Sequence, residues 1–359
     1  MSKAPIALIT LDYPPEKGGV ARYLGNLVTA AGGEIDVFVN KTHPATGPGK
    51  VEAVDFLRPG RLPWWPLVAF SRRLKQQGYK HILVSHLLPA GTAAWMARSS
   101  GGLPYSVLIH GLDLRLARSH WRKRKLTKYV LQGAKNVLVN SQFVAKEVTD
   151  FDHEVNPFIL SPGVESLDFA DRATARQRLS LSEQDWIILT VTRLIARKGI
   201  DTLIEVMTML PNHAKLVIVG NGQDRERLQQ LAAPLQDRVR FVLESTDGER
   251  NNWYAAANCF AMPVREEGAD IEGFGIVYLE AALAGLPVIV GKSGGAPETI
   301  LEGKTGFSVE SPDELRTRIL WLIEHPAEAE AMGETGRTRV KQDFRWPDRW
   351  QNLRKRLLS

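Results

Sequence analysis

Two carboxylates eight positions apart, Glu272 and Glu280, bracket a glycine-bearing stretch, Asp270-Ile-Glu-Gly-Phe-Gly-Ile-Val-Tyr-Leu-Glu280. Glycines let a ligand approach the backbone closely. The pattern reads as a loop that opens a helix, and a helix N-terminus offers free amides and the positive end of a dipole, which suits an anionic diphosphate. If the helix starts near Gly275, Glu280 lies roughly 7 Å along its axis. One carboxylate is then placed for the hydroxyls of a sugar and the other for those of a ribose, with the diphosphate between them.

Further chemistry sits just after other apolar runs. Arg193 and Lys198 follow the strand candidate Trp186–Val191 in Thr192-Arg-Leu-Ile-Ala-Arg-Lys-Gly199. Two cations between a strand and a helix grip a diphosphate and offset charge on a departing oxygen; Arg197, between them, reads as a surface residue. Gly18-Gly19 precedes a helix pattern, where bare amides suit a phosphate or an acceptor, or where a tight turn is all that is needed. His110 follows Tyr105–Ile109, placed for a sugar hydroxyl or acceptor. Asp113 reads as a helix cap rather than an acceptor-side carboxylate. Gly220 and Gly222 begin a dinucleotide-like loop, but Arg225 replaces the third glycine, which excludes a nicotinamide enzyme. Ser293-Gly-Gly295 is a strand-to-helix loop that reads as the back of a pocket or as a plain connection. There is no Cys/His cluster and no Asp-x-Asp pair, so neither a metal site nor a cofactor is expected.

Parallel α/β layers must position these groups. Continuous apolar runs alternate with amphipathic segments: Ile6–Thr10, Ile35–Val39, His81–Val84, Tyr105–Ile109, Asn136–Val139 and Phe158–Leu160, then Trp186–Val191, Lys215–Val219, Val239–Val242, Cys259–Met262, Pro287–Val290 and Gly306–Val309. Strands of this kind are buried on both faces, as in parallel sheets covered by helices. Two such sets predict two Rossmann-like domains facing a central cleft, with ligands at the C-terminal strand ends. The break at Ser161-Pro162-Gly163 divides residues 1–163 from 164–339. The stretch from Phe344 reads as a terminal amphipathic helix.

Glu272 and Glu280 match the E-x7-E signature of retaining glycosyltransferases with the GT-B fold. The block from Met262 to Gly306 most resembles the phosphatidylinositol mannosyltransferases of actinobacteria, on Asp270–Glu280 and on Gly291-Lys-Ser-Gly-Gly-Ala-Pro-Glu-Thr299. The resemblance implies an acceptor-binding domain of residues 1–163 completed by 340–359, and a nucleotide-sugar donor domain of 164–339. It implies that Arg193 and Lys198 hold the diphosphate, that Glu272 binds donor-sugar hydroxyls, and that amides of Gly273, Phe274, Gly275 and Ile276 bind phosphate and sugar. Glu280 is implied to bind ribose, and His110 to lie beside the reacting sugar. Gly18, Gly19, Gly220 and Gly222 would border the donor, and Glu244 would sit where the base is read. Here the chain departs from the family: a glycine is usual near Glu244, and an acid is usual where Asn258 stands. The family's reaction is a front-side substitution without a protein nucleophile.

The 359 residues suffice for two domains, with 44% hydrophobic and 24% charged residues. No apolar run spans a bilayer, no signal peptide is read, and the single cysteine, Cys259, reads as buried packing in a reducing cytoplasm. The net charge is +6, and all of the positive excess lies within residues 1–170. Residues 115–129 hold Arg115, Arg118, Arg122, Lys123, Arg124, Lys125 and Lys128, with Trp121 and no acid. A second acid-free stretch runs from Arg58 to Lys80 through Arg61, Trp64 and Trp65. A cationic, Trp-flanked helix suits an anionic bilayer, the alternative being a solvated face. No zinc, helix-turn-helix or RNP-like pattern points to nucleic acid.

The expectation is thus a retaining hexosyltransferase, moving mannose from GDP-mannose to a lipid-linked acceptor at the cytoplasmic membrane face. The alternatives are a UDP-sugar enzyme acting on a lipopolysaccharide core or soluble glycan, and, in other classes, a sugar-nucleotide epimerase or a non-catalytic nucleotide-sugar binder.

Overall fold

The computed structural model describes residues 4–16, 18–56 and 64–359. Arg58, Arg61 and Lys17 lie outside them. The chain divides into two compact units, Met1–Gly163 with Arg345–Ser359, and Val164–Phe344.

In the first unit, β1 (Ile6–Ile9), β2 (Ile35–Asn40), β3 (Lys50–Val54), β4 (His81–Val84), β5 (Tyr105–Ile109), β6 (Asn136–Val139) and β7 (Phe158–Ile159) form one sheet. The order is β3-β2-β1-β4-β5-β6-β7, and every pairing is parallel. The connecting helices are α1 (Gly19–Ala30), α2 (Trp65–Gln76), α3 (Thr92–Ser99), α4 (Leu112–Arg118), α5 (Trp121–Gly133) and α6 (Gln142–Phe151). All residues of β1, β4 and β5 are buried, because helices cover both faces of a parallel sheet. Strand β3 was not expected. It pairs on one side only and exposes Lys50, Glu52 and Ala53, so it lacks the apolar run by which buried strands are read, and its charges suit an edge.

The second unit repeats the plan with β8 (Trp186–Val191), β9 (Ala214–Val219), β10 (Val239–Val242), β11 (Cys259–Met262), β12 (Val288–Gly291) and β13 (Gly306–Val309), in the order β10-β9-β8-β11-β12-β13. Its helices are α7 (Arg172–Arg178), α8 (Ile200–Met207), α9 (Arg225–Ala232), α10 (Asp247–Ala256), α11 (Ile276–Leu283), α12 (Pro312–Glu324) and α13 (Pro326–Asp343). Cys259 is buried in β11.

The last helix, α14 (Trp346–Leu358), belongs to the first unit. The chain leaves the second unit at Phe344 rather than near residue 340, because α13 continues to Asp343. Helix α14 presents Trp346, Trp350, Leu353 and Leu357 inward. Trp346 meets Tyr23 of α1 edge-on at 5.1 Å, Arg349 donates to the Ser161 carbonyl, and Arg354 pairs with Glu34. Gly163 must be small, since a Cβ there would stand 2.8 Å from the Trp346 ring.

This pair of parallel-sheet units is the GT-B architecture. Strand order reverses direction between β1 and β4 in one sheet and between β8 and β11 in the other. At such switch points, loops from the two strands part and leave a crevice for ligand.

Candidate functional site

At the switch point of the second unit, the loop after β8 carries Arg193, Arg197 and Lys198, and the loop after β11 carries Asp270 and Glu272. A turn at Ala196–Lys198 ends on Gly199, where a φ of +67° and a Cβ position only 2.1 Å from the Pro263 carbonyl oxygen exclude any side chain. That turn sends both Arg197 and Lys198 inward. Arg197 Nη1 donates to Glu272 Oε2 at 2.9 Å and its Nε lies 2.9 Å from Asp270 Oδ1. Lys198 Nζ donates to the same Glu272 oxygen. Arg197 is therefore buried at 7% exposure, not a surface residue. Arg193 is the exposed cation, with no ion pair to another described side chain.

Burial alone would raise the Glu272 pKa, but the Lys198 and Arg197 charges outweigh it and hold the carboxyl at about 2. Burial lowers the Lys198 pKa, with Glu272 opposing. The cluster thus keeps an ionised carboxylate and two cations together in a site that excludes water, where such charges act strongly on a ligand.

Glycines fix the surrounding backbone. Gly275 has φ +94°, and a Cβ there would stand 2.5 Å from the Tyr278 ring; it starts α11 without any side-chain cap. Helix α8 likewise starts at Gly199 uncapped. Helix α11 leaves its first-turn amides open to an anion, whereas in α8 the Thr202 amide donates to Asp201 Oδ1 at 3.0 Å and the amides of Ile200 and Asp201 remain. Gly294, with φ +60°, packs onto the Glu272 carbonyl, which also accepts from Gly295 N at 2.9 Å. The Ser293–Gly295 loop is therefore the support beneath Glu272. Gly273 and Phe274 are buried, while Ile276 is half-buried at the helix start.

Gly220 and Gly222 have a packing reason of their own. A Cβ on them would lie 2.0 Å from the Thr192 carbonyl and 2.3 Å from that of Leu194, so they brace the loop bearing Arg193. Glu280 is buried in α11 and accepts from Tyr254 Oη at 3.0 Å, a partner that its sequence neighbourhood does not reveal. Glu244 is exposed after β10. Asn258, where the family carries an acid, accepts from Ile187 N at 2.9 Å and so ties two strands.

The first unit holds a separate site. A pocket of about 340 Å³ opens at its switch point, lined by Asp12, Ser85, His86 and His110 among others, within the range of small-ligand pockets. Burial, with the charge of His86, pushes the His110 pKa down to about 3; the ring is neutral at pH 7, stands edge-on to Tyr23 at 5.5 Å, and its Nε2 is buried without a hydrogen-bond partner among the described residues. Asp113 is at the start of α4 and accepts from the His110 and Gly111 amides at 3.2 and 3.1 Å. It is thus not the helix cap expected from the sequence: Gly111 occupies that position without a side-chain cap, and Asp113, inside the first turn, ties down the His110-Gly111 loop that precedes the helix. Gly18 and Gly19 open α1 with no atom within 4 Å of where a Cβ would stand and no left-handed backbone, so packing does not require glycine there.

Asp12 and His86 escape a reading of the sequence. Their only signal is their place immediately after β1 and β4, 74 residues apart in the chain.

On the basic face, α5 exposes Trp121, Arg122, Lys123, Arg124 and Lys125, and Leu116 of α4 is 50% exposed beside them in sequence. Arg115 and Arg118 do not belong to that free surface. Both pair with Glu147 of α6, at 3.1 and 3.6 Å, and lie over Phe143 and Phe151. Among the described residues no helix is long and apolar enough to cross a membrane.

Comparison with known proteins agrees with this geometry. Residues 171–339 match the family model described as glycosyl transferases group 1, and residues 17–166 match glycosyltransferase family 4. A GDP-mannose-dependent alpha-(1-6)-phosphatidylinositol monomannoside mannosyltransferase of Mycolicibacterium smegmatis is 32% identical, covering 96% of each chain. A GDP-mannose-dependent monoacylated alpha-(1-6)-phosphatidylinositol monomannoside mannosyltransferase of Corynebacterium glutamicum is 28% identical over 94% of each. The solved sucrose-phosphate synthase of Thermosynechococcus elongatus superposes with a TM-score of 0.82 at 25% identity, covering 98% of each chain. Similarity sustained along nearly the whole chain, with both sheets in common, places this protein in the glycosyltransferase family, as a hexosyltransferase.

Proposed function

We propose that the enzyme transfers mannose from GDP-mannose, with retention, to a lipid-linked acceptor such as a phosphatidylinositol mannoside at the cytoplasmic face of the membrane. The observation that carries this reading is the Arg193–Lys198–Glu272 constellation at a switch point, in a chain 32% identical to an enzyme named for that donor and acceptor. In it the donor diphosphate lies on Arg193, Lys198 and the open amides of α8 and α11. Lys198 then exchanges its contact with Glu272 for the phosphate, and Glu272 turns to the sugar hydroxyls.

The C1–oxygen bond to the diphosphate breaks, the acceptor oxygen bonds to C1 on the same face, and the hydroxyl proton leaves with the diphosphate. Cations already in place take up the charge that develops on the leaving oxygen. Neutral His110 belongs to the acceptor side, and Glu280 and Glu244 to the nucleoside side. We further propose that no metal is needed, because fixed cations and helix ends supply the positive charge. The exposed Trp121–Lys125 segment of α5 is assigned to an anionic membrane surface, and nucleic acid is not a partner.

Thermal stabilisation by a nucleotide panel tests the donor. GDP and GDP-mannose, with chelator present, should raise the unfolding free energy by about 2.7 kcal/mol at roughly a hundred times Kd. Selective stabilisation by UDP-sugars would replace mannose with another hexose, and dependence on Mg²⁺ would overturn metal independence.

A further inference from the structure

A second cluster of charged side chains stands in the second unit, beside the site of Arg197, Lys198, Asp270 and Glu272 and unused by the transfer chemistry. At its centre is Asp201, in the first turn of α8. Arg265, in the loop after β11, grips it with a fork: Nη1 donates to Oδ1 at 2.8 Å and Nη2 to Oδ2 at 2.8 Å. Arg227 of α9 donates to the same Oδ2 at 3.2 Å. It also holds Asp224, at 2.8 Å through Nη2 and 3.2 Å through Nε. The Asp224 amide in turn donates to the Leu194 carbonyl at 3.0 Å. One carboxylate thus ties together the segments that follow β8, β9 and β11. Burial alone would raise the Asp201 pKa, but the hydrogen bonds and charge of Arg265 outweigh it and hold the carboxyl below its usual range.

Arg265 is joined to the site by its main chain as well. Its amide donates to the Arg197 carbonyl at 2.8 Å. The chain then folds back on itself. Glu267 and Asp270 exchange two amide-to-carbonyl hydrogen bonds, at 3.1 and 3.0 Å, around Gly268, whose φ is +59°. Asp270 Oδ1 lies 2.9 Å from Arg197 Nε. The turn 265–270 therefore holds Arg197 by its carbonyl and by its guanidinium, and Arg197 holds Glu272. The turn itself is fixed to α8 by the Arg265–Asp201 pair; Glu267 Oε2, 3.8 Å from Arg265 Nε, is a weaker partner of the same guanidinium. A fork of two N–H···O bonds fixes an angle as well as a distance, which a single ammonium does not. The Arg265 side chain is 39% exposed, so the pair adds little to the stability of the whole unit. Its effect is local and geometrical.

We propose that Arg265 is a positioning residue: through Asp201 it locks the turn 265–270 against α8 and so sets the Arg197–Glu272 pair for the transition state. The inference rests on the donor-site reading in assigning Glu272 to the sugar. The clamp and the turn it holds lie wholly within the second unit.

Hydrogen exchange of the full-length protein, without ligand, tests the clamp. Arg265→Met should speed amide exchange across residues 266–275 about tenfold, while β8 and β11 exchange as in wild type and the urea midpoint holds. Arg265→Lys, with a point charge in place of the fork, should behave as Arg265→Met rather than as wild type. Asp201→Asn should do the same, and combining it with Arg265→Met should add little, because both act through one pair. Turnover of GDP-mannose on phosphatidylinositol vesicles tests the consequence. Arg265→Met should lower kcat about tenfold and keep the donor KM within about threefold, since a displaced Glu272 is missed most in the transition state. A merely structural role would instead lower the urea midpoint and raise exchange in the strands too. Wild-type exchange across 266–275 in Arg265→Met, or an unchanged kcat at raised exchange, would overturn the proposal. Failure of the donor reading appears separately, as no turnover and no thermal shift with any nucleotide in wild type, and leaves the exchange measurement able to decide.

Discussion

Arg197 shows how much a single side chain carries at this site. It joins Asp270 to Glu272 from a buried position. Removing one partner of a buried ion cluster leaves the others uncompensated, at about 3 kcal/mol or more. Arg197→Met should therefore lower stability to urea by about 3 kcal/mol at pH 7, and a loss under about 0.5 kcal/mol would show that the cluster is solvated. The pH dependence has a definite sign. Glu272 has a folded pKa of about 2 against 4.5 when free, so its contribution is present above about pH 4.5 and is lost as pH falls towards 2. In Arg197→Met, with only Lys198 beside Glu272, that loss should still begin near pH 4.5 but be smaller and end at higher pH. That Glu272, Arg193 and Lys198 would stand on loops following strands was legible from residue type and spacing. The inward aim of Arg197 was not, because two adjacent cations look alike in sequence, and only the turn closed by Gly199 decides which way each points.

At the scale of elements, the acid-free run 115–129 splits into two parts. The α4 arginines both pair with Glu147, which lies on α6 beyond any local window and offsets one of their two charges. The α5 cations Arg122, Lys123, Arg124 and Lys125 remain exposed around Trp121. With about 1 kcal/mol per cation near an anionic surface, replacing these four by Gln should weaken binding to phosphatidylglycerol-containing vesicles by about a thousandfold. Replacing Arg115 and Arg118 by Gln should instead lower thermal stability and leave vesicle binding nearly unchanged. Equal vesicle binding by all variants would remove the membrane assignment. Most strands were legible because a doubly covered parallel sheet demands unbroken apolar runs. Strand β3 was not, since an edge strand with one partner needs none. The Asp12–His86 pairing was also hidden, because it exists only once the sheet order sets β4 beside β1.

For the whole molecule, buried His81 and half-buried His110, whose Nε2 is enclosed, set a limit on acid stability. Burial, aided by Lys135, pushes His81 to about 3, as burial pushes His110 to about 3. A histidine with a depressed folded pKa lets the unfolded chain bind the extra proton. Stability is therefore full above about pH 6.5 and declines as pH falls from there towards 3, at up to roughly 2.7 kcal/mol per pH unit for the two together. Urea unfolding at pH 7, 6 and 5 should show this slope, and His110→Gln should halve it; a flat profile would mean that the rings are hydrated. The threading of α14 has a consequence for biosynthesis. The ribosome completes the second unit before it releases the residues that close the first, since Tyr23 and Ser161 find Trp346 and Arg349 only after residue 344 has been made. A nascent chain consequently carries a finished second unit alongside an N-terminal unit that still exposes the Tyr23 ring. Premature termination within those last helical turns should yield chains recognised by chaperones and proteases rather than partly active enzyme.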